Sequence, residues 1–310
     1  MGLRHLEFLA VALLLLLTLV NSVILMTFPS KKEGSQTILD SIIAGEKVMK
    51  ILHEHPFDIE TIPEPGSYGE FLEEASNNFK APSGLTKKQA CADMGVDDQG
   101  PDYKYKSKDE CISIWEERFA AIKAPEVAEQ NWRKTGLSGL RGEVICIGCM
   151  VEPGVVSMFS RSLKHSEGDL LQDYFDFMAK TYNGRTPKFV GHNIANFDLQ
   201  FIYHRSVING VKPSVKLPFH GRHDKDYYDN MIAWTGHISK FISQDELAKA
   251  LGLPGKPDNI DGSQVWDYVA EGNEQAVFDY CADDVIQLFE IYKRLTFADQ
   301  AAQVNDVASM

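Results

Sequence analysis

The sequence predicts an α/β fold in which a mixed sheet is covered by helices on both faces, together with a largely helical insertion. Three observations predict it: a short strand of alternating polarity at 57–62, two strands joined by a Pro-Gly turn at 143–151 and 155–159, and a later alternation of helix, strand and helix. A hairpin followed by such an alternation is typical of a mixed sheet between two helical layers.

The first strand reads Phe57-Asp58-Ile59-Glu60-Thr61. Side chains alternate between the two faces of a strand, so Asp58 and Glu60 share one face and the two apolar side chains share the other. The residues His53-Glu-His-Pro56 precede it. Because proline cannot donate to a central ladder of hydrogen bonds, we expect the strand to begin at Phe57 or to be bulged there.

A polar insertion follows at 67–135, after the structure-breaking Pro63-Glu-Pro-Gly66. Helical patterning occurs in two stretches of it, at 110–121 and 125–134. We interpret the insertion as a solvent-exposed addition on the outside of the core. The alternative is a flap that grips a bound strand through Trp115, Trp132, Arg133 and Lys134.

The core resumes with the predicted hairpin and continues to the end of the domain. Asp169 to Thr181 is an amphipathic helix with apolar residues at helical spacing. The elements predicted after it are a strand at 189–191, a helix at 197–207, a strand or short helix at 229–234, and helices at 243–251, 265–271 and 274–296.

Five cysteines form an odd set without a disulfide framework, which fits a reducing compartment. Cys146 and Cys149 have the spacing of a zinc or redox motif. However, they lie in a strand-like run, where residues three apart face opposite ways. We therefore interpret them as two buried strand cysteines.

Residues 8–28 carry no charge and are long enough to span a bilayer. One interpretation is a membrane anchor whose flanking basic residues favour a cytoplasmic catalytic part. The other is that residues 1–48 are an upstream extension not native to the enzyme, with Met49 as the natural start and Met26 as another candidate. We favour the second, and expect a cytoplasmic protein.

Two further acidic fragments follow: Asn193-Ile-Ala-Asn-Phe197-Asp198 and Tyr280-Cys-Ala-Asp-Asp284. A helical Tyr-x-x-x-Asp places the phenol and the carboxylate one turn apart on the same face. Four carboxylates that meet cannot all stay ionised without a counter-charge, and hard divalent cations such as Mg²⁺ prefer oxygen ligands. Because paired cations are a recurring device for cutting phosphodiesters, the fragments predict a metal-dependent nuclease.

Each candidate also has an ordinary structural interpretation. Asp58 and Glu60 could belong to an exposed edge strand, although the apolar neighbours favour a central one. A carboxylate at the position of Asp198, near a helix start, often caps the helix. Tyr280 could simply belong to the core. Asp283 competes with Asp284, but only Asp284 is four residues from the tyrosine.

The three fragments, in this order, resemble the Exo I, Exo II and Exo III motifs of the DEDD 3′–5′ exonucleases, in the variety with a tyrosine in the third motif. The histidine variety would have histidine where this chain has Asp279. Further similar stretches are Trp132-Arg-Lys-Thr, Gly142 to Gly148, Asp245 to Lys256 and Asp261 to Trp266. The resemblance covers roughly 49–296, and the chain is similar to stand-alone, phage-type exonucleases related to the proofreading domain of family-B DNA polymerases.

The resemblance implies a ribonuclease-H-like fold with a mixed five-stranded sheet, and an exonuclease domain at 49–298 followed by a tail at 299–310. It implies that Asp58, Glu60 and Asp284 hold one Mg²⁺ that activates water. Asp58 would also hold a second ion, with help from Asp198 through water, and Mn²⁺ is a candidate substitute. Tyr280 and Glu60 would orient the nucleophile.

The resemblance also assigns substrate contacts to Thr61, Asn193, Phe197 and Lys256. Lys256 has solvated loop charge as its ordinary explanation. Asp229 matches an acidic position of the family near the cleft, but a structural hydrogen-bonding role is as reasonable. Asp261 is weaker still, and we interpret His192 as a packing residue.

The expected reaction is release of nucleoside 5′-monophosphates from the 3′ end of single-stranded DNA, without a small-molecule cofactor. Stacking on Phe197 would favour an unpaired end. The net charge of −13 predicts weak, salt-sensitive binding. Alternatives are an exoribonuclease, an endonuclease of the same fold, and a non-catalytic nucleic-acid-binding module; a separate polymerase is a candidate partner.

Overall fold

The computed structural model describes residues 52–237, 240–255 and 260–298. Its strands are β1 (Glu54–Ile62), β2 (Glu143–Glu152), β3 (Val155–Ser160), β4 (Lys188–Gly191) and β5 (Tyr227–Asp229). They form one five-stranded sheet in the order β3-β2-β1-β4-β5. β2 is antiparallel to both of its neighbours, β1 and β3, whereas β4 is parallel to both of its neighbours, β1 and β5. The predicted five-stranded mixed sheet is confirmed.

The helices follow the predicted alternation outside the insertion. In chain order they are α1 (Tyr68–Asn77), α2 (Lys87–Asp93), α3 (Lys108–Arg133), α4 (Glu167–Tyr182), α5 (Asp198–Asn209), α6 (Asn230–Thr235), α7 (Gln244–Ala250), α8 (Val265–Ala270) and α9 (Glu274–Leu295). The segment 229–234, predicted as a strand or a short helix, contains both, because β5 ends at Asp229 and α6 begins at the next residue.

Helices cover both faces of the sheet, as the alternation of side chains in β1 requires. Phe57 and Ile59 belong to the same apolar cluster as residues of α4 and α5, for example Leu171 and Ile202. Ile62 faces the other way and packs with Cys281 of α9. Asp58 and Glu60, which alternate with Phe57 and Ile59, therefore lie on the face that α9 covers.

The prediction for the start of β1 was wrong. The strand begins at Glu54 and contains Pro56, which is in register with Val190 of the parallel strand β4. The antiparallel ladder to β2 is in register from Phe57 onward, so the proline precedes it. The irregularity lies further along, between Glu60 and Thr61, where β2 has one extra residue.

The insertion contains more helix than the sequence predicted. One helix, α3, runs without a break through Pro125, where two separate helical stretches were expected. The two shorter helices α1 and α2 were not predicted. α2 and α3 enclose a small apolar core around Cys91, Cys111 and Trp115. The insertion is therefore a packed helical unit and not merely a solvent-exposed addition.

Cys146 and Cys149 are buried free thiols on opposite sides of the sheet, as predicted. Cys149 belongs to the cluster beneath α4 and α5, whereas Cys146 belongs to the cluster beneath α9. Their side chains point away from each other, so they do not form a shared metal or redox pair.

The two terminal segments, 1–48 and 299–310, lie outside the residues that the structure describes, as does the apolar stretch 8–28. Within the described ranges, no helix is both long enough and apolar enough to span a membrane.

Candidate functional site

The first two carboxylates of the site stand on the central strand of the sheet. Asp58 is half-buried and Glu60 is buried, on the face covered by α9. One oxygen of each carboxylate and the sulfur of Cys281 all lie within 4.8 Å of one another. The sulfur of Cys281 is 3.8 Å from Oδ2 of Asp58. The side chains of β1 and α9 thus meet at this point.

A glycine allows α9 to approach the sheet this closely. Gly148 of β2 is in register with Asp58. A Cβ at Gly148 would lie 2.9 Å from Cγ2 of Val285 and 3.0 Å from the sulfur of Cys281, both on α9. Because β-branched valine is stiff in a helix, this contact is not easily relieved. The glycine therefore sets the distance between α9 and the carboxylates of β1.

The third carboxylate, Asp198, opens α5 and reaches back to β1. Its Oδ1 accepts a hydrogen bond from the backbone N–H of Ile59 at 3.3 Å. The N-cap position of α5 is held by Phe197, whose side chain makes no capping hydrogen bond. Burial raises the pKa of Asp198 to about 8, and the negative charges of Asp229 and Asp284 also raise it.

The loop that delivers Asp198 is held by Asp229. This residue is fully buried at the end of β5, and its Oδ1 accepts hydrogen bonds from the backbone N–H groups of Asn193 at 3.0 Å, Met231 at 2.9 Å and Ile232 at 3.3 Å. Asn193 adopts a left-handed conformation with φ of 61°, which asparagine tolerates better than most residues. Asp229 thus has the structural role that was one of its two interpretations.

The last two residues of the predicted set lie on α9. Asp284 is buried, and its Oδ1 accepts a hydrogen bond from the side-chain amide of Gln244 at 2.8 Å. Burial raises the pKa of the Tyr280 hydroxyl, and the charges of Asp284 and Glu60 raise it further. Tyr280 therefore stays protonated and able to donate across the neutral pH range.

All five predicted catalytic residues line one open cleft with a volume of about 320 Å³, together with Asn193 and Phe197. The lining residues that sequence reasoning did not select for the site, or treated as weak, are Ile59, His192, Ser243, Gln244, Asp245, Ile260, Asp261 and Gly262. His192 was interpreted as a packing residue. It lines the cleft instead, and its Nε2 forms a hydrogen bond with the backbone oxygen of Ile242 at 2.7 Å.

Among the described residues, one predicted substrate contact is not part of the lining of the cleft. Thr61 lines a neighbouring cavity, and its hydroxyl donates to the backbone oxygen of Gly136 at 2.7 Å. Lys256 lies outside the described residues. Trp115 and Trp132, the aromatic candidates of the flap interpretation, are buried in packing contacts.

The donor set fits a hard divalent cation. Asp58 and Glu60 offer carboxylate oxygens, which Mg²⁺ and Mn²⁺ prefer over sulfur. The pKa of the neighbouring Cys281 thiol is raised by its hydrogen bond to Cys146 and by burial, so at neutral pH it remains a neutral thiol rather than a thiolate ligand. Asp198 and Asp284 are buried carboxyl groups beside the two on β1, and a bound cation would favour their ionised forms.

Comparison with known proteins places the second half of the chain in a family. Residues 143–308 match the model of predicted 3′–5′ exonucleases related to the exonuclease domain of PolB, and this match covers more than half of the 310 residues. It includes Asp198, Tyr280 and Asp284 and begins after β1. No curated protein matches the chain.

Among solved structures, the chain is similar to the family B DNA polymerase from the hyperthermophilic archaeon Pyrobaculum calidifontis. The sequence identity is 19% and the TM-score is 0.40. The similarity covers 51% of this chain and 22% of the polymerase chain.

Proposed function

Because the chain belongs to the family of predicted 3′–5′ exonucleases related to the exonuclease domain of PolB, we propose that it is a metal-dependent 3′–5′ exonuclease that releases nucleoside 5′-monophosphates from single-stranded DNA. One observation carries the proposal. Asp58, Glu60, Asp198, Tyr280 and Asp284 come from three separate parts of the chain and line the same cleft.

Asp58, Glu60 and Asp284 are the residues that we propose to hold the metal, with Asp198 assisting a second ion beside Asp58. Two Mg²⁺ ions would supply charge stabilisation for the attacking and leaving oxygens and favour ionisation of the attacking water. The fixed positions of the carboxylates matter as much as their charge. Gly148 fixes the distance between α9 and β1, and the Ile59 N–H fixes the carboxylate of Asp198.

Tyr280 would orient the attacking water together with Glu60. Because its hydroxyl stays protonated, it can donate a hydrogen bond to an oxygen of the phosphate or accept one from the water. Asn193 and Phe197 line the same cleft, where an aromatic face can stack on an unpaired terminal base. Stacking of this kind tolerates any base and would favour a single strand over a duplex end.

We propose 49–298 as the catalytic domain, with 67–135 as its insertion, and 1–48 and 299–310 as segments outside it. A separate polymerase is the partner that the family relation suggests. The acidic surface implied by a net charge of −13 supports weak binding whose strength falls with added salt.

The test uses purified full-length protein with 5′-labelled single-stranded DNA and RNA of matched sequence, in Mg²⁺ or in EDTA. The expected result is a ladder that shortens from the 3′ end of the DNA, only with Mg²⁺, and that disappears in Asp58→Ala. Preferential shortening of the RNA would identify an exoribonuclease.

Two further outcomes would overturn the proposal. Cleavage of circular single-stranded DNA would identify an endonuclease, because a circle offers no end. Binding without cleavage by a well-folded wild-type protein, in either Mg²⁺ or Mn²⁺, would identify a non-catalytic binding module.

A further inference from the structure

A second cavity lies directly beside the catalytic cleft. It has a volume of about 200 Å³ and is lined by Thr61, Pro63, Arg133, Lys134, Gly136, Leu137, Gly262, Ser263 and Trp266. We call it the insertion-side cavity, because Arg133 and Lys134 lie at the end of the helical insertion. A cavity of this size suits a group as large as a nucleobase rather than a drug-sized ligand.

The cavity and the cleft are continuous along two segments of chain. In β1, Glu60 lines the cleft and Thr61 lines the cavity. In the second segment, Asp261 lines the cleft, Ser263 lines the cavity, and Gly262 lines both. A nucleic-acid strand whose terminal phosphodiester lies at the carboxylates of β1 can therefore extend from the cleft into the cavity along the protein surface.

The wall formed by the insertion is firmly held. Besides the bond from Thr61 to Gly136, the hydroxyl of Thr135 accepts a hydrogen bond from the backbone N–H of Glu64 at 2.9 Å. A Cβ at Gly136 would lie 3.2 Å from the backbone carbon of Ile62, so this glycine lets the segment lie flat against the end of β1. The cavity is thus preformed by backbone contacts.

An aromatic ring forms another wall. Trp266 is partly exposed, and its ring meets the buried ring of Trp132 edge-on, with centroids 4.9 Å apart. Trp132 is itself fixed by a hydrogen bond from its indole N–H to the backbone oxygen of Glu64 at 2.9 Å. A fixed, partly exposed indole offers a stacking face that every base can use.

Two cations line the cavity, but they differ in their partners. Arg133 forms ion pairs with Glu129 and Asp267. Lys134 is exposed and donates to the side-chain oxygen of Asn131 at 3.3 Å, and no carboxylate in the described part of the chain pairs with it. In a protein with a net charge of −13, an available lysine beside an acidic cleft is suited to a phosphate.

We propose that the insertion-side cavity binds the nucleotide that precedes the terminal nucleotide of the substrate strand. Lys134 contacts a phosphate of the strand, and Trp266 stacks on the base. This inference rests on the proposed exonuclease function and adds a substrate subsite that the insertion builds. Its consequence is that the enzyme prefers an oligonucleotide over a substrate with a single nucleotide.

The experiment compares Lys134→Gln with Lys180→Gln, which removes the same charge from an exposed lysine near the end of α4. Two substrates are used: a thymidine oligonucleotide, and the p-nitrophenyl ester of thymidine 5′-monophosphate, in which p-nitrophenol replaces the preceding nucleotide. The measured quantity is the ratio of kcat/KM for the oligonucleotide to kcat/KM for the ester.

We expect this ratio to fall about five-fold in Lys134→Gln at low salt. For the oligonucleotide, the slope of log kcat/KM against log salt concentration should also become smaller in magnitude by about 0.7, the value for one lost phosphate contact on a single strand. Lys180→Gln should keep the wild-type ratio and slope. Equal ratios and slopes in the two variants would overturn the subsite.

Failure of the proposed function gives a different pattern, because neither substrate is then cleaved. In that case fluorescence anisotropy of the labelled oligonucleotide, in EDTA at low salt, decides the question. Weaker binding to Lys134→Gln than to Lys180→Gln would support the subsite. Equal binding to both variants, or no binding to the wild type, would overturn it.

Discussion

The backbone N–H of Ile59 donates a hydrogen bond to Oδ1 of Asp198, at 3.3 Å. Ile59 is the residue between Asp58 and Glu60, so one bond fixes the third carboxylate relative to the first two. The bond also keeps Asp198 buried next to other negative charges. The result is a site in which the carboxylates are positioned at a cost in stability, as expected where a cation is to bind.

We predict that Asp198→Asn makes the folded protein more stable while abolishing its activity. The asparagine oxygen can still accept from Ile59, and the amide has no ionised form whose burial costs free energy. In EDTA at pH 7, the free energy of unfolding should therefore rise, by up to about 4 kcal/mol. Burial has raised the pKa of Asp198 to about 8, so the folded protein holds a proton that the unfolded chain releases above pH 3.8. Urea unfolding measures this change.

The same variant should lose cleavage and gain less thermal stability from Mg²⁺ than the wild type, since a cation stabilises a protein by binding the folded state. An Asp198→Asn protein that still cleaves DNA and responds fully to Mg²⁺ would contradict the role given to Asp198.

Asp283 and Asp284 provide a matched pair on α9. Asp284 lines the cleft, whereas Asp283 lines a separate cavity with Leu253 and Pro254. We expect Asp284→Asn to lower kcat/KM by on the order of 100-fold or more, because residues that hold or orient metal ligands have effects of that size. Asp283→Asn removes the same charge and should retain most of the activity. Similar losses in both variants would point to the net charge of α9 instead of a defined site.

Gly148 should control activity without touching the substrate. In Gly148→Ala the new methyl group would meet Val285 and Cys281 of α9, so the helix must shift away from β1. We expect a loss of about 1–3 kcal/mol in the free energy of unfolding, typical of overpacking, and a fall in kcat with little change in KM. Unfolding and steady-state kinetics, measured on the same preparation, check both. An alanine variant with wild-type kcat would show that the spacing of α9 is not critical.

The sheet, and the placing of the candidate site residues on β1 and α9, could be predicted because they rest on short-range patterns. The alternation in β1 predicted which face bears Asp58 and Glu60, and the four-residue spacing predicted that Tyr280 and Asp284 share a helix face. Both patterns depend only on the geometry of a single strand or helix, so they do not depend on how the rest of the chain folds.

The residues that could not be predicted depend on contacts between distant segments. Gln244 follows a helix cap and carries no motif, yet it meets Asp284 across the cleft. In the sequence, Gly148 looks like any other glycine in a strand. Its role follows only from its contacts with Val285 and Cys281 of α9, which the sequence does not reveal. Pro56 has no backbone N–H, which counts against a strand only where a neighbouring strand would accept that hydrogen bond. The antiparallel ladder to β2 starts at the next residue, Phe57, so β2 does not need a donor at position 56.

The insertion was underpredicted for a related reason. Pro125 suggested a break between two helices, but α3 continues through it and is stabilised by packing of its apolar residues. Cys91 and Cys111 lie 20 residues apart and form a core with Trp115 that no local pattern reveals.

His55 should make the stability of the protein depend on pH. It is fully buried between Tyr174 and Tyr182, whose hydroxyls are each 3.0 Å from one of its ring nitrogens. Burial lowers the pKa of His55 from 6.5 to about 3. Between pH 3 and pH 6.5, His55 therefore binds a proton in the unfolded chain but not in the folded protein. The contribution of His55 is complete above pH 6.5 and is lost as the pH falls toward 3, by about 2 kcal/mol between pH 7 and pH 5.

Asp198 acts in the opposite direction over the same range, because its folded pKa is raised and its contribution falls as the pH rises. The two effects partly cancel in the wild type, so the comparison must be made between proteins. The free energy of unfolding of wild type minus that of His55→Gln should decrease by about 2 kcal/mol from pH 7 to pH 5. The matched control is His165→Gln, the same substitution at an exposed histidine. A difference between wild type and His55→Gln that is the same at both pH values would mean that His55 can be protonated in the folded protein.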